Sequence, residues 1–439
     1  MKIPTYIINL KSRSDRLENV MMTFENRHEF EITVVEAIRR EAGALGLWNT
    51  IQHILRDLTR KEYEYVLICE DDHVFTEHYS RETLFESIAA AREEEADILC
   101  GGVSWVSNIA EMKHGIFWVE KFSGLQFCVI FRKFFDRLLG ATFPPGGAAD
   151  YMISDLSDKK FFTFPFISIQ KDFGYSDVTP PNTIAGAVRE LFEKSTATVN
   201  IARKVMQHYK NAAPSAVPET FEDVTIPVYI LNLPERTDRL IHIKKQFEGK
   251  DEFAVAVIEA CKHEIGATGL WLSIRKAVQL AVANDEDVVI ICEDDHEFTK
   301  DYTKEYLIRN IIEANEQGLD MLIGGVIDMN TALPVATNRY WVSSFWSTQF
   351  IVLYRNMFRP VLDETFDTTV TADGKLSEIV INKAVLFPFV SVQREFGYSD
   401  VSPSHDAFRT NKPNDEKFRE CIGRFQRIRE IHTRSMNSL

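Results

Sequence analysis

Val66-Leu-Ile-Cys-Glu-Asp-Asp-His73 and Val289-Ile-Ile-Cys-Glu-Asp-Asp-His296 are two copies of one motif, an apolar run that ends in three carboxylates and a histidine. They lie 223 residues apart, and the same offset relates Asn9 to Asn232. The shared register runs from Tyr6 to about residue 180 without a net insertion. Because this period is far longer than a solenoid repeat, the sequence indicates a tandem duplication of a whole domain.

Short apolar runs alternate with polar segments of helical length in each copy. Strands that are apolar on both faces are typical of parallel sheets covered by helices. The sequence therefore predicts an α/β fold with two tandem Rossmann-like domains, each on a mostly parallel sheet. The strands predicted in the first copy are Thr5–Leu10, Ile32–Val35, Tyr65–Cys69, Ile98–Val103, Phe127–Phe131 and Phe161–Ile169.

The length of 439 residues is enough for two domains that each bury a core. Residues 1–180 are predicted to form the first domain. Residues 181–226 are predicted to hold the C-terminal helix of the first unit and then a linker rich in alanine and proline. Residues 227–439 are predicted to form the second domain, with a C-terminal helix of its own.

The charge balance is acidic, with 65 Asp and Glu against 50 Lys and Arg. This balance argues against a nucleic-acid partner, which requires a positive surface. The six cysteines contain no CxxC pair and are expected to be free thiols in a reducing compartment. We find neither a signal peptide nor a membrane-spanning run, so the expected location is the cytoplasm, with peripheral membrane contact left open.

The acidic motif predicts a divalent cation. Three adjacent carboxylates repel one another, so a folded site needs compensating positive charge. Mg²⁺ or Mn²⁺ shared with a diphosphate would supply that charge through hard oxygen ligands. Asp72 and Asp295 are the predicted metal ligands. The alternative is a solvated acidic turn or a cap for the next helix.

The other acidic residues of the motif, Glu70, Asp71, Glu293 and Asp294, are expected to contact the rest of a nucleotide ligand. His73 and His296, which end the motif, are either further metal ligands or polar residues of a turn.

A second motif, N-L-x-x-R-x-D-R, follows the first strand of each copy and opens a helix. Helix N-termini favour anions, and arginine binds phosphate with a planar fork. The motif therefore predicts nucleotide contacts from Asn9, Arg13, Arg16, Asn232, Arg236 and Arg239. In the alternative, Asp15 and Asp238 cap the helix and pair with a neighbouring arginine.

Three further pairs of residues keep the register of the duplication. Asp150 and Asp373 are candidates for a general base, or for an N-cap of the following helix. Gln126 and Gln349 either contact a ligand or satisfy buried backbone groups. Asp177 and Asp400 are either late metal ligands or turn residues.

The glycines of G-x-x-G-L-W, which begins at Gly43 and at Gly266, either let the backbone approach a ligand or start a helix with a core tryptophan.

Taken in order, these motifs resemble glycosyltransferase family 25, which includes lipooligosaccharide galactosyltransferases of bacteria and procollagen galactosyltransferases. The resemblance covers about 180 residues of each copy. It implies a GT-A fold and inverting transfer of galactose or glucose from a UDP-sugar with Mn²⁺ or Mg²⁺. By this resemblance Glu-Asp-Asp is the metal and donor motif, and Asp150 and Asp373 are the catalytic bases. The sequence departs from the family where Leu-Trp replaces a Ser-His pair after G-x-x-G.

The acceptor implied by the resemblance is a glycan, a lipid-linked glycan or a protein, and two copies could perform two sequential transfers. Two alternatives stay open. In one, a single domain is catalytic and the other binds sugar or nucleotide without catalysis. In the other, the chain is a metal-dependent nucleotidyltransferase, although we find no glycine-rich or basic triphosphate loop.

Overall fold

The computed structural model describes residues 2–174, 184, 186–210, 221–397 and 412–438. The chain separates into two compact units, Met1–Lys204 with Ile431–Leu439, and Val205–Glu430.

The first unit combines ten strands and six α-helices among the described residues. Its strands are β1 (Ile3–Asn9), β2 (Phe30–Glu36), β3 (Tyr65–Glu70), β4 (His73–Phe75), β5 (Ile98–Cys100), β6 (Trp105–Glu111), β7 (Ile116–Ser123), β8 (Phe127–Phe131), β9 (Lys160–Thr163) and β10 (Ser168–Gln170). The helices are α1 (Ser14–Thr23), α2 (Gly43–Leu58), α3 (Arg81–Glu93), α4 (Phe135–Gly140), α5 (Ala149–Asp155) and α6 (Ala187–Lys210), the last of which continues past Lys204.

The main sheet of this unit has the order β2-β1-β3-β8-β5-β9-β7-β6 among the described residues. β1 pairs in parallel with β2 and β3, and β5 pairs in parallel with β9. The remaining pairings are antiparallel, because β8 enters between β3 and β5 and the hairpin β6–β7 closes the far edge. The predicted α/β class is confirmed, with a sheet that is mixed.

The second unit repeats this plan. Its strands are β11 (Ile226–Asn232), β12 (Phe253–Glu259), β13 (Val288–Glu293), β14 (His296–Phe298), β15 (Met321–Ile323), β16 (Asp328–Met329), β17 (Ala332–Ala336), β18 (Arg339–Val342), β19 (Phe345–Trp346), β20 (Phe350–Tyr354), β21 (Lys383–Leu386) and β22 (Ser391–Gln393). Its helices are α7 (Thr237–Phe247), α8 (Gly266–Ala283), α9 (Lys304–Glu316), α10 (Phe358–Asp363), α11 (Ala372–Ile379) and α12 (Asn414–Ser438). The sheet order, β12-β11-β13-β20-β15-β21-β18-β17, matches that of the first unit strand for strand.

Two elements differ from the sequence-based expectation. The run Phe161–Ile169 is divided into β9 and β10, and β10 leaves the main sheet to pair with β4 directly after the acidic motif. The hairpin β6–β7 was not predicted. Its strands are nearly as buried as the central ones, so alternation of polar and apolar residues does not mark them.

Close backbone packing holds the sheet edge at which the acidic motif ends. A Cβ atom added at Gly102 would lie 2.0 Å from the Ser168 carbonyl oxygen, and one at Gly325 would lie 2.1 Å from that of Ser391. Only glycine lets β10 and β22 lie so near to the segment after β5 and β15.

All six cysteines are free, as predicted. Among the described residues, no helix combines the length and the apolar character needed to cross a membrane.

Candidate active site

The acidic motif occupies the turn between β3 and β4, at the carboxyl edge of the parallel part of the sheet. Glu70 is the last residue of β3 and pairs with Ile8 in β1, one residue before Asn9. The motif and N-L-x-x-R-x-D-R therefore meet at adjacent strand ends, where open α/β sheets bind ligands.

Asp71 connects the two motifs. Its carboxylate accepts hydrogen bonds from Asn9 Nδ2 at 3.0 Å and from Arg16 Nη1 at 3.2 Å. Arg13 Nη1 lies 3.8 Å from the same carboxylate. Asn9, Arg16 and Asp71 are each 5% exposed or less. A buried anion thus has its compensating cation and donors within the fold, which fixes the turn relative to helix α1.

The second unit has the same arrangement. Asp294 accepts hydrogen bonds from Asn232 Nδ2 at 3.0 Å and from Arg239 Nη1 at 2.9 Å, with Arg236 Nη1 at 3.7 Å. The predicted site residues of both motifs are therefore brought together in each unit. Their geometry supports positioning roles for Asn9 and Arg16 and for their counterparts.

Helix α1 begins at Ser14, and Arg13, the residue before it, makes no side-chain cap. Asp15 lies in the first turn of the helix. Asp15 is therefore not the N-cap residue of helix α1, and Asp238 is not that of helix α7, whose N-cap residue is Arg236.

Asp72 has a different environment from Asp71. Arg16 Nη1 lies 3.5 Å from Asp72 Oδ2, whereas Asp72 Oδ1 is buried and has no hydrogen-bond partner among the described residues. Burial and repulsion from Asp71 raise the pKa of Asp72 to about 7. Asp295 Oδ1 is unpartnered in the same way within the described residues, and the same causes raise the pKa of Asp295 to about 6.

The glutamate that ends each strand differs between the units. Burial, followed by repulsion from Asp72, raises the pKa of Glu70 well above its usual range. In the second unit burial raises the pKa of Glu293 to about 8, although Thr348 Oγ1 donates a hydrogen bond to Glu293 Oε1 at 2.7 Å. The residue at the position of Thr348 in the first unit is Leu125.

The histidine that follows each acidic triplet belongs to the core. His73 is fully buried, and its Nδ1 lies 2.8 Å from Ser168 Oγ. Its ring centroid lies 4.4 Å from that of Phe75 and 5.0 Å from that of Phe127. Burial lowers the pKa of His73 to about 3, so the ring is neutral. His296 pairs with Ser391 at 2.7 Å in the same way, so both histidines join the turn to the strand that pairs with it. The role of metal ligand that the sequence left open for them stays a prediction.

A cleft of about 330 Å³ adjoins the motif in the first unit. It is lined by Arg13, Glu70, Asp71, Gly43 and the loop 37–41 after β2. Helix α2 begins at Gly43 against this cleft, without a side-chain cap and without an acidic residue in its first turn. The N–H groups of its first turn, which have no partner within a helix, and the Arg13 guanidinium are suited to bind an anion.

The second glycine of G-x-x-G has a packing role. A Cβ at Gly46 would lie 2.5 Å from the Ile38 carbonyl oxygen, and one at Gly269 would lie 2.7 Å from that of Cys261. Trp48 and Trp271 are buried, which confirms the prediction of a helix start with a core tryptophan.

Asp150 and Asp373 hold equivalent positions in helices α5 and α11. The Asp150 carboxylate accepts hydrogen bonds from the backbone N–H groups of Gly124 at 3.2 Å and Tyr151 at 2.9 Å. Asp373 accepts hydrogen bonds from Ser347 N at 3.0 Å and Gly374 N at 2.9 Å.

Neither aspartate is the N-cap residue, because the helices begin one residue earlier, at Ala149 and Ala372. Burial raises the pKa of Asp150. Asp150 is also near enough to Glu70 to contribute to the raised pKa of that glutamate, and Asp373 acts on Glu293 in the same way.

Gln126 is fully buried, and its Nε2 donates to the Gly102 carbonyl oxygen at 2.9 Å. Gln349 donates to that of Gly325 at 2.8 Å. Both glutamines satisfy buried backbone, which was one of the two predicted roles. Asp177 and Asp400 lie outside the described residues.

Sequence reasoning missed the loop 37–41, which includes Arg39 and Arg40, and the part of the turn before β8 and β20 that contacts the acidic residues, Gly124 in the first unit and Ser347 and Thr348 in the second. The rule that ligands bind beyond strand ends could have identified the loop, because it follows β2 directly. The turn has no such signal, since it follows an antiparallel strand that was not predicted.

No group of three or more His, Cys, Asp and Glu side chains in the described residues is arranged to hold a metal by itself. A cation shared with a diphosphate needs only one or two carboxylates from the protein. Asp72 Oδ1, which has no partner among the described residues, fits such a cation, and so do the burial and the mutual repulsion that raise the pKa values of Glu70 and Asp72.

No protein-family model matches the chain, and no curated protein sequence matches it. Solved structures do match. A197 from STIV is 17% identical over 40% of this chain and 87% of that chain, with a TM-score of 0.30. The glycosyltransferase GlyE of Streptococcus pneumoniae TIGR4 is 8% identical over 67% of this chain and 91% of that chain, with a TM-score of 0.27.

The mannosyltransferase PcManGT from Pyrobaculum calidifontis, in complex with GDP-Man and Mn²⁺, is 13% identical over 64% of this chain and 75% of that chain, with a TM-score of 0.22. Scores at this level do not establish a shared fold, so the functional assignment depends on the site itself.

Proposed function

We propose that the chain is a metal-dependent inverting glycosyltransferase. It moves a hexose, galactose or glucose, from a UDP-sugar to a hydroxyl group of a glycan, a lipid-linked glycan or a protein. The observation that carries the proposal is made in both units: among the described residues, Asp72 and Asp295 each have a buried carboxylate oxygen without a partner, and Asp150 and Asp373 lie within electrostatic reach of the glutamate that ends the strand, Glu70 or Glu293. The proposal includes the duplication of a GT-A domain related to glycosyltransferase family 25.

The cation would be held by Asp72 in the first unit and by Asp295 in the second. When bound, it would supply positive charge that stabilises the leaving diphosphate. Arg13 and the uncapped N-terminus of helix α2 line the cleft of the first unit and bind the phosphates. Asn9 and Arg16 hold Asp71, which keeps the turn in place.

Asp150 and Asp373 act as general bases. In the transfer step the acceptor oxygen forms a bond to the anomeric carbon, and the bond from that carbon to UDP breaks. The acceptor proton passes to the aspartate, and UDP leaves with the bonding electron pair. Two backbone N–H groups orient each carboxylate, and burial raises the pKa of Asp150 toward the range useful for a base.

The test is UDP release by the purified full-length chain from UDP-galactose, UDP-glucose and other UDP-sugars with Mn²⁺. Wild type is compared with Asp72→Asn, Asp295→Asn and the double variant, and the exposed Asp57→Asn serves as a matched control. We expect metal-dependent release that the double variant loses and the control keeps. If the protein neither binds nor cleaves any of the UDP-sugars, the proposal is contradicted. Formation of UTP after addition of pyrophosphate would identify a nucleotidyltransferase instead.

Asp72→Asn and Asp295→Asn also separate the two units within one chain. If the units act in sequence on one glycan, the variant that lacks the second transfer accumulates the acceptor with one added sugar, and the variant that lacks the first transfer extends only an acceptor that already carries that sugar. Identical products from both would contradict sequential transfer. If only one variant abolishes UDP release, and does so even with an acceptor that already carries the first sugar, catalysis belongs to a single unit.

A further inference from the structure

Two aromatic side chains of the first unit are exposed side by side. Trp105 is 41% exposed and Tyr151 is 47% exposed. Their ring centroids lie 6.1 Å apart, and the ring planes are inclined at 74°. Large aromatic side chains at a protein surface are typical of binding sites, because each combines apolar area with a rigid shape.

The aromatic pair is built onto the residues that hold Asp150. Trp105 begins β6 and is the cross-strand partner of Ser123 at the end of β7. The next residue, Gly124, donates its N–H to the Asp150 carboxylate, and Tyr151 directly follows Asp150 in helix α5. The two rings and the proposed base therefore belong to one contiguous surface.

The second unit changes this surface while it keeps the base. Asp328 stands at the position of Trp105, and Gly374 at that of Tyr151. The cross-strand pair that corresponds to Trp105 and Ser123 is Asp328 and Trp346, so the tryptophan has moved to the opposite strand. Asp328 is held by Arg424 Nη1 at 2.6 Å. Since Asp150 and Asp373 have matching contacts, the difference affects what lies beside the base.

We propose that Trp105 and Tyr151 form the acceptor subsite of the first unit and bind a pyranose ring. The inference rests on the proposed function, whose acceptor it narrows to a sugar. A pyranose has an apolar C–H face and a polar rim of hydroxyl groups. The aromatic rings bind the apolar face, and one hydroxyl of the rim then reaches the Asp150 carboxylate.

The first experiment measures the kinetics of the first unit in the full-length chain that carries Asp295→Asn. UDP release is followed at varied concentrations of methyl β-D-galactopyranoside and methyl β-D-glucopyranoside. The variants are Trp105→Ala, Tyr151→Ala and both together, with Trp346→Ala as the matched control in the other unit. We expect the double variant to raise the KM for the pyranoside about tenfold, while the KM for the donor stays the same. An unchanged pyranoside KM, or an equal rise in both KM values, would overturn the subsite.

A second experiment does not depend on turnover. In protein labelled with ¹⁵N at tryptophan, the indole N–H resonance of Trp105, assigned from its loss in Trp105→Ala, is followed during titration with the same two pyranosides. A saturable shift that Tyr151→Ala weakens supports the subsite. If no shift occurs up to the solubility limit of the sugars, the subsite is wrong, even if the chain cleaves UDP-sugars. If the wild-type protein shows the shift but neither binds nor cleaves any UDP-sugar, the sugar subsite stands and the transferase proposal is refuted.

Discussion

Neighbouring aspartates of one motif should respond to the same substitution in opposite ways. Asp71 is 5% exposed and is contacted by Asn9 and by the buried Arg16, whose Nη1 lies 3.2 Å from it. Asp71→Asn removes the nearer of the two carboxylates of the motif that contact the buried Arg16 and leaves the contact with Asp72, at 3.5 Å. Breaking a buried ion pair costs about 3–5 kcal/mol, and because Asp72 remains we expect a loss of about 3 kcal/mol. Asp72→Asn instead removes the charge that Asp71 and Glu70 repel, so it should leave the stability unchanged or increase it.

The assay is urea unfolding of the full chain without divalent cations, with Asp294→Asn and Asp295→Asn as the matching pair in the second unit. The two units can unfold in separate transitions, so the urea midpoint of each variant is compared with that of wild type for the transition that the substitution shifts. A loss of about 3 kcal/mol corresponds to a fall of about 1 M in the urea midpoint. Equal losses for Asp71→Asn and Asp72→Asn would refute the distinction between an internal anion and a ligand-binding one.

Three further predictions follow from individual contacts. Gly46→Ala should lower the Tm and weaken UDP binding, because the added Cβ would lie 2.5 Å from the Ile38 carbonyl oxygen beside the cleft. Gly140→Ala is the control and should change neither quantity, because a Cβ added there has no other atom within 4 Å. Mn²⁺ should raise the Tm of wild type and leave that of Asp72→Asn/Asp295→Asn unchanged; an equal rise in both would exclude these ligands. Burial lowers the pKa of Lys160, which donates to the Ser154 carbonyl oxygen in helix α5, to about 8. The folded state then releases this proton before the unfolded state does, so wild type should gain about 2 kcal/mol over Lys160→Met between pH 8 and 10, and a pH-independent difference in urea unfolding would contradict the assignment.

The two units carry the same motifs but do not offer identical surroundings to a ligand. Thr348 donates a hydrogen bond to Glu293, whereas Leu125 stands at the equivalent position near Glu70. Ser347 has a positive φ of 113°, close to the 105° of its counterpart Gly124, and its N–H donates a hydrogen bond to Asp373. A serine in this backbone region costs conformational energy that glycine does not pay. The turn has the same shape in both units in spite of this cost, and in both it donates a backbone N–H to the aspartate.

The sequence by itself determined the α/β class and the acidic motif at a buried strand end. These features are encoded locally, in runs of apolar residues and in the polar residues that end them. It also brought N-L-x-x-R-x-D-R to the same sheet edge, because adjacent parallel strands end together.

Only the tertiary structure decided the roles within the motifs. Asp71 and Asp72 are chemically alike and adjacent, yet Arg16 and Asn9, distant in sequence, make one an internal anion, while an oxygen of the other has no partner in the described part of the chain. The hairpin β6–β7 likewise carries no signal in its sequence, although it places Trp105 beside Tyr151 and Gly124 beside Asp150. Charge compensation and cross-strand contacts depend on which residues are close together in the folded chain, and a local sequence pattern does not predict contacts between residues that are distant in sequence.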